Sequence, residues 1–326
     1  MKKKSIVVIA LALIIMLTGC TKYLSDDNKK RVVNEKTGQA ITSNILCLPE
    51  SEELKSIYEK YKDNLEVDYD KLSHCKDYKP SDTKYNGLLE YIFVRPLAWL
   101  IIKVGSIVKN YGVAVMILGI LIRLVLLPFT KKSMMQSENM KKAQPELQAI
   151  QKKYGNNKEQ SVQMSQEMML VYKKYGINPA SGCLLAFIQL PILLAFLEAI
   201  NRVPAIFEGY LFSLQLGTSP SVGIKNGNLL YIIVIILIIA STYFSYKNTM
   251  NSTPTSSSGD NQQKQTKMMM IFMIVFISIA SLSLPTALAL YWIVSNVFMI
   301  IQNIIIKKIT EKNIAKGKVV NKKAKR

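Results

Sequence analysis

The sequence predicts an all-α membrane protein: five transmembrane helices around a hydrophilic groove open to the cytosol, a cytosolic helical hairpin, and one outer interfacial helix. Three observations predict it. Apolar stretches long enough to cross about 30 Å of hydrocarbon alternate with polar connections. The chain is 49% hydrophobic yet holds 42 Lys plus Arg against 22 Asp plus Glu. The first long apolar stretch contains a single charge, Arg123. A net charge of +20 would also suit a nucleic-acid binder, but the positive residues flank apolar runs, so the membrane is the expected partner and DNA is not.

Residue chemistry excludes several classes. There is one histidine, His74, and none of the four cysteines forms a CxxC pair, so a zinc site or a histidine-dependent triad has little to be built from. No phosphate-cradling G-x-x-x-x-G-K-[ST] occurs. Enzymatic chemistry, a metal and a nucleotide cofactor are therefore not expected.

Residues 1–19 read as a lipoprotein signal peptide, with a basic start at Lys2 to Lys4, a short apolar run, and the closing tetrapeptide Leu17-Thr18-Gly19-Cys20. The tetrapeptide resembles a bacterial lipobox, with cleavage before Cys20 and a diacylglycerol on its thiol; an uncleaved signal anchor is the alternative. Residues 20–87 then form an extracellular, lipid-anchored segment. Within it, residues 21–43 are polar and without period, and are expected to be a solvated tether. In residues 52–65, by contrast, Leu54, Ile57, Tyr58, Tyr61 and Leu65 recur at helical spacing. Cys47 and Cys75 both fall in this exterior region, where a disulfide between them is permitted; two unpaired thiols are the other reading.

Residues 88–107 are apolar but interrupted by Arg95, Pro96 and Lys103, which suits a helix lying in the outer interface. The spans are expected at 108–130, 181–203, 228–247, 268–284 and 286–306, with Pro285 turning the chain between the last two. Lysine is dense in residues 131–180 and in the tail 307–326, whereas the loop 204–227 holds only Lys225, so the basic segments belong inside and the N-terminus outside. The lipobox gives the same topology. Residues 131–180 read as two amphipathic arms joined at Gly155-Asn156-Asn157, with Met135, Ala143, Leu147, Ile150 and Tyr154 facing Met164, Met168, Val171 and Tyr175. Packing between the arms is the first reading of this Met-rich face, and an adaptable partner surface the second. The loop 248–267, rich in Ser and Thr, carries no legible motif.

Arg123 lies about 12 Å from the cytosolic end of the first expected span, at about 1.5 Å per residue, and Gln189 lies level with it at about 9 Å. An arginine inside a span costs at least about 2.5–3.5 kcal/mol on insertion scales unless it faces water or a polar partner. The expected spans offer no carboxylate at that depth, since Glu198 sits at an outer helix end beside Arg202. Arg123 is therefore expected to project into a hydrated recess open to the cytosol, lined further by Ser241, Ser245, Ser278, Ser281 and Asn296. For each of these small polar residues, helix-to-helix hydrogen bonding is the plainer reading; for Arg123 it is snorkelling to the inner interface.

Four stretches now resemble the YidC/Oxa/Alb membrane insertase family, in its Gram-positive lipoprotein-type branch: IRLVLLPFTKKSM, QPELQAIQKKYG, QEMMLVYKKYGINPASGCLLAFIQLPI and LPTALALYWIVSNVFMIIQ. Their order matches the family's span, hairpin, span pattern. The resemblance implies a five-helix core whose groove is closed to the outside, with Arg123 as its positive centre and Gln189 and Trp292 nearby. It implies nascent membrane proteins as substrates, recruited with help from the hairpin, delivered independently or together with the Sec translocon, with ribosome and signal recognition machinery as further partners. The exterior segment is long for this branch. A small anion transporter or channel, or a scaffold for a membrane complex, are the rival readings, though no internal repeat of the transporter kind is legible.

Overall fold

The computed structural model describes residues 21–82, 87–154, 160–178, 181–252 and 259–315, with the side chains of some helical stretches, residues 181–190 among them, left aside. The expected signal peptide, Cys20, the turn at Gly155 to Asn157, residues 253–258 of the Ser/Thr-rich loop and the end of the basic tail lie outside the described residues.

In chain order the elements are β1 (Val33–Asn34), β2 (Gln39–Ala40), α1 (Glu52–Lys60), a π-helical turn (Glu90–Val94) running into α2 (Arg95–Val108), α3 (Tyr111–Val125), α4 (Leu127–Tyr154), α5 (Ser161–Lys174), α6 (Ser181–Arg202), α7 (Pro204–Glu208), β3 (Tyr210–Leu211), β4 (Leu214–Gln215), α8 (Pro220–Lys225), α9 (Leu230–Ser252), α10 (Gly259–Ser283) and α11 (Thr286–Ala315). The chain forms two compact units. The first comprises Met1–Leu121, Phe187–Ile238 and Ile277–Val294, the second Ile122–Ala186, Ile239–Phe276 and Ser295–Arg326.

The first unit corrects the expectation of a solvated tether. Leu24, Ile41 and Ile45 are too far apart in sequence to show a period, yet they close over Leu54, Tyr58, Tyr69, Leu72 and Phe207 as one hydrophobic core. The hairpin of β1 and β2, in register Val33↔Ala40 and Asn34↔Gln39, brings the first of them together. Helix α1 starts where Ser51 accepts the amide hydrogen of Leu54 at 3.3 Å, with Glu52 and Glu53 in its first turn to complement the helix dipole. Cys47 and Cys75, both fully buried, are joined by a disulfide that closes a loop of 28 residues. Closing a loop of that size stabilises a fold by about 3–4 kcal/mol in the chain-entropy account.

Beneath this module lies a buried ionic cluster. Glu90 accepts from Arg95 Nη2 at 2.7 Å and Nε at 2.8 Å through one oxygen, and from Arg202 Nη1 at 3.0 Å through the other. Arg95 Nη1 also donates to the carbonyl of Pro80 at 2.8 Å, and Arg202 Nε to that of Asn44 at 2.8 Å. Arg202 is thus partnered by Glu90, while Glu198 accepts instead from the backbone N–H and the hydroxyl of Thr21. Arg95 is 2% exposed and neutralised within the protein, and Pro96 lies inside a helical stretch that runs unbroken from the π-helical turn into α2.

By length and composition, three described helices can cross a membrane: Glu90–Val108, Leu230–Lys247 and Thr286–Ile309. A fourth is the pair Tyr111–Val125 and Leu127–Ser133, bent by 56°. Pro128 accounts for the bend, since it removes an amide donor and clashes with the carbonyl four residues earlier. Within α10 the described apolar stretch, Ile274–Ser283, is shorter.

In the second unit, α4 and α5 pack antiparallel as the expected hairpin. Ala143, Leu147, Val171 and Ile177 form its core, with Met140, Ile150, Met168, Tyr172 and Tyr175 around them. The repeated Lys-Lys-Tyr ends clamp it. Lys153 Nζ and Tyr154 OH donate to Glu167 at 2.7 and 2.8 Å, and Lys174 Nζ and Tyr175 OH both donate to Glu146 at 2.7 Å. Packing thus explains Met168, whereas Met135 and Met169 stay exposed.

Candidate functional site

Arg123 occupies the last turn of α3, immediately before the bend. Helix α3 ends at Val125 and not at residue 130, so along α3 Arg123 lies about 3 Å from the final residue, at about 1.5 Å per residue. The carboxyl end of a helix favours a cation, because the unsatisfied carbonyls there carry partial negative charge. Its side chain is 7% exposed and engaged within the chain.

Other buried polar residues of the second unit come from three helices. Helix α9 supplies Ser241, Thr242 and Ser245, α4 supplies Thr130, and α11 supplies Ser295, Asn296, Gln302 and Asn303. Asn296 Nδ2 donates to Thr242 Oγ1 at 3.0 Å and more weakly to Ser241 Oγ at 3.4 Å. Gln302 Nε2 donates to Thr130 Oγ1, whose own hydrogen can reach the carbonyls of Leu127 at 3.0 Å or Leu126 at 3.2 Å, beside the bend. Ser295 Oγ is buried with no hydrogen-bond partner among the described residues. The cluster joins hydroxyl and amide groups on otherwise apolar helices, a donor and acceptor set suited to polar groups of a peptide. Among the described residues no cluster of His, Cys, Asp or Glu could hold a metal ion.

Of the residues singled out in the sequence, Ser241 and Asn296 meet directly, and Ser245, 1% exposed, lies one turn further along α9. Trp292 is half-buried and belongs to the first unit, next to Tyr291, whose ring stacks on Phe196 with centroids 3.9 Å apart. Gln189 lies on α6 in the first unit, and its side chain is outside the description. Thr130, Thr242, Ser295, Gln302 and Asn303 were not selected from the sequence. A signal existed for three of them: Ser295 and Gln302, like Asn296 and Asn303, are seven residues apart, which puts each pair on one helix face.

The model of the family described as "60Kd inner membrane protein" matches residues 103–313, about two thirds of the chain. "Membrane protein insertase YidC" of Oceanobacillus iheyensis is 36% identical over 240 residues, covering 73% of this chain and 91% of that protein. "Membrane protein insertase MisCA" of Bacillus subtilis is 36% identical over 216 residues, covering 66% and 77%. A solved structure titled "Active YidC insertase crystal structure with the first transmembrane domain resolved" is 26% identical with a TM-score of 0.46, over 64% of this chain and 44% of that one. With a family model matched over most of the chain and relatives at this identity, the chain belongs to the YidC/Oxa/Alb family, the family of the 60Kd inner membrane proteins.

Proposed function

We propose that this chain is a membrane protein insertase, which admits nascent membrane proteins into the cell membrane and helps them fold there. The observation that carries the mechanism is the set of buried polar side chains around the ends of α3 and α4 and along α9 and α11, with Arg123 as its cation. Polar groups in membrane helices are costly and tend to face a cavity or a polar partner. The relatives named as insertases supply the activity.

In this reading α3, α6, α9, α10 and α11 are the five spans, α2 is the interfacial helix, and the polar side chains of the second unit line a groove that opens to the cytosol. The asymmetry of Lys and Arg puts the hairpin and the C-terminal tail in the cytosol. Cys20, acylated after removal of residues 1–19, anchors the exterior module, because two acyl chains hold a protein firmly where one does so only marginally. The Sec translocon assists some substrates, and the basic tail meets the ribosome through phosphate contacts or rests on anionic lipids.

A substrate inserts by exchanging its short polar terminus for the contacts Arg123 makes within the chain, while its apolar segment moves into lipid. A carboxylate about 4 Å from the guanidinium gains up to about 4 kcal/mol at an effective dielectric near 20, before desolvation is subtracted. That suffices for capture and permits release. The net drive is burial of the substrate's own helix, at about 25 cal/mol per Å², so neither nucleotide nor catalytic chemistry is required.

Reconstituted insertion of one radiolabelled substrate with an acidic exterior segment tests the proposal. Arg123→Ala should lose most of this insertion, and Arg123→Lys should keep part of it, having the charge without the guanidinium fork. Full insertion by the Ala variant would remove the electrostatic step. Failure of the unaltered protein to insert any substrate, with solute flux in its place, would remove the insertase reading.

A further inference from the structure

Residues 209–224, running from Gly209 through Tyr210, Leu211, Phe212, Ser213, Leu214 and Gln215 to Ile224, contain no charged side chain. Strands β3 and β4 pair as Tyr210↔Gln215 and Leu211↔Leu214, leaving Phe212 and Ser213 as a two-residue turn. The first central residue of such a turn needs a positive φ, and glycine or asparagine usually fills it. Here Phe212 takes φ +55°. A bulky residue in that region is strained, and its ring is 89% exposed, so contacts within the chain do not offset the strain.

The hairpin carrying this ring is itself held firmly. Asn110 Nδ2 donates to the carbonyl of Tyr210 at 3.0 Å, Asn228 Nδ2 to that of Ser213 at 2.8 Å, and Gln215 N to Tyr231 OH at 3.0 Å. Leu211 packs so closely on Gly112 that a Cβ there would lie 2.9 Å from the leucine Cβ. Asn110 immediately precedes α3, and Asn228 lies two residues before α9. The turn is therefore pinned at the level where two membrane-crossing segments begin. Tyr210 at the hairpin and Leu229 at the start of α9 are also exposed, by 55% and 67%.

We propose that Phe212, with Tyr210 and Leu229, seats in the interfacial layer of the lipid bilayer, so that the hairpin fixes the depth of the N-terminal ends of α3 and α9. Trp and Tyr concentrate at the boundary between headgroups and acyl chains, and Phe and Leu are the apolar residues that interfacial elements bury there. An uncharged, aromatic-tipped hairpin tied to two span ends meets that layer, and lipid then supplies the contacts the ring lacks. The inference rests on α3 and α9 being membrane spans.

Fluorescence of the full chain in phosphatidylcholine vesicles tests it, using the emission of Phe212→Trp less that of the unaltered protein. A Leu237→Trp variant, with the probe on the exposed face of mid-α9, serves as control. The Phe212→Trp probe should emit to the blue of a hydrated indole, resist iodide, and be quenched at least about twofold more by a nitroxide near the headgroup than by one deep in the acyl chain, with the control showing the opposite depth preference. A control quenched by the deep label beside a Phe212→Trp probe quenched only by iodide overturns the interfacial seat while leaving the spans intact. A control untouched by either lipid label overturns the spans and the proposal together. Phe212→Gly in detergent should melt no lower than the unaltered protein, because glycine adopts the turn without strain; a marked fall would mean that the ring packs within the chain, against the proposal.

Discussion

Asn296 donates its side-chain amide to Thr242 Oγ1 at 3.0 Å, tying α11 to α9 through a hydrogen bond buried on both sides. Side-chain hydrogen bonds between membrane helices are worth about 0.6 kcal/mol on average and about 1.7 kcal/mol at most, because the separated helices find other partners. Asn296→Leu should therefore lower thermal stability in detergent by only about 0.5–1.5 kcal/mol, read from the unfolding midpoint. Insertion per folded molecule should fall by more than that loss accounts for. If stability drops and insertion per folded molecule holds, Asn296 serves only to join the helices.

Glu90 faces two guanidinium groups, those of Arg95 and Arg202. Removing the one anion from a buried cluster typically costs about 3–5 kcal/mol, since uncompensated charge is left behind. Glu90→Gln should therefore be the most damaging single change in the cluster. Arg202→Met should cost less, because it leaves the Glu90 and Arg95 pair neutral and orphans only the carbonyl of Asn44 and one oxygen of Glu90. Unfolding of both variants in the same detergent decides the order, and the reverse order would show that packing of Arg202 outweighs charge balance.

Tyr78 is 1% exposed, and its hydroxyl has no hydrogen-bond partner among the described residues. Burial pushes its phenol up to about 12, with Arg95 and Arg202 nearby pulling the other way, so it stays neutral. An unpaired buried hydroxyl carries a desolvation penalty of about 1–3 kcal/mol. Tyr78→Phe should leave the melting temperature unchanged or raise it, and a clear fall would reveal a partner for the hydroxyl.

The hairpin should loosen in acid. Hydrogen bonds from Lys174 and then Tyr175 hold the Glu146 carboxyl below the usual carboxylate range, and Lys153 and then Tyr154 do the same for Glu167. A carboxyl whose folded value is depressed stabilises the fold above its unfolded value, about pH 4, and loses that contribution as pH falls through the lower folded value. Amide exchange in α4 and α5 should accelerate between about pH 5 and pH 3. The doubly substituted Glu146→Gln, Glu167→Gln chain should show a flatter profile over the same range.

Local pattern made much of this molecule legible. The hairpin followed from Ala143, Leu147, Met168 and Val171 at helical spacing, since one helix face needs only its own sequence to declare itself. Arg123, Ser241, Ser245 and Asn296 stood out because polar groups in apolar helices are costly wherever they occur. Thr130 did not stand out: at the end of an apolar stretch a hydroxyl reads as a boundary, and only the bend at Pro128 and the approach of Gln302 make it part of a cluster.

Sequence by itself determined the membrane class and the helical hairpin and singled out Arg123 as a charge within an apolar helix, because composition, charge position and periodicity are properties of short segments. Tertiary structure decided what depends on residues distant in the chain. It assembled Leu24, Ile41, Leu54 and Phe207 into one core where a tether had been expected, and gave Arg202 its partner Glu90 from more than a hundred residues away. In each case the deciding energy is burial or charge pairing, which exists only once the chain has brought its separate segments together.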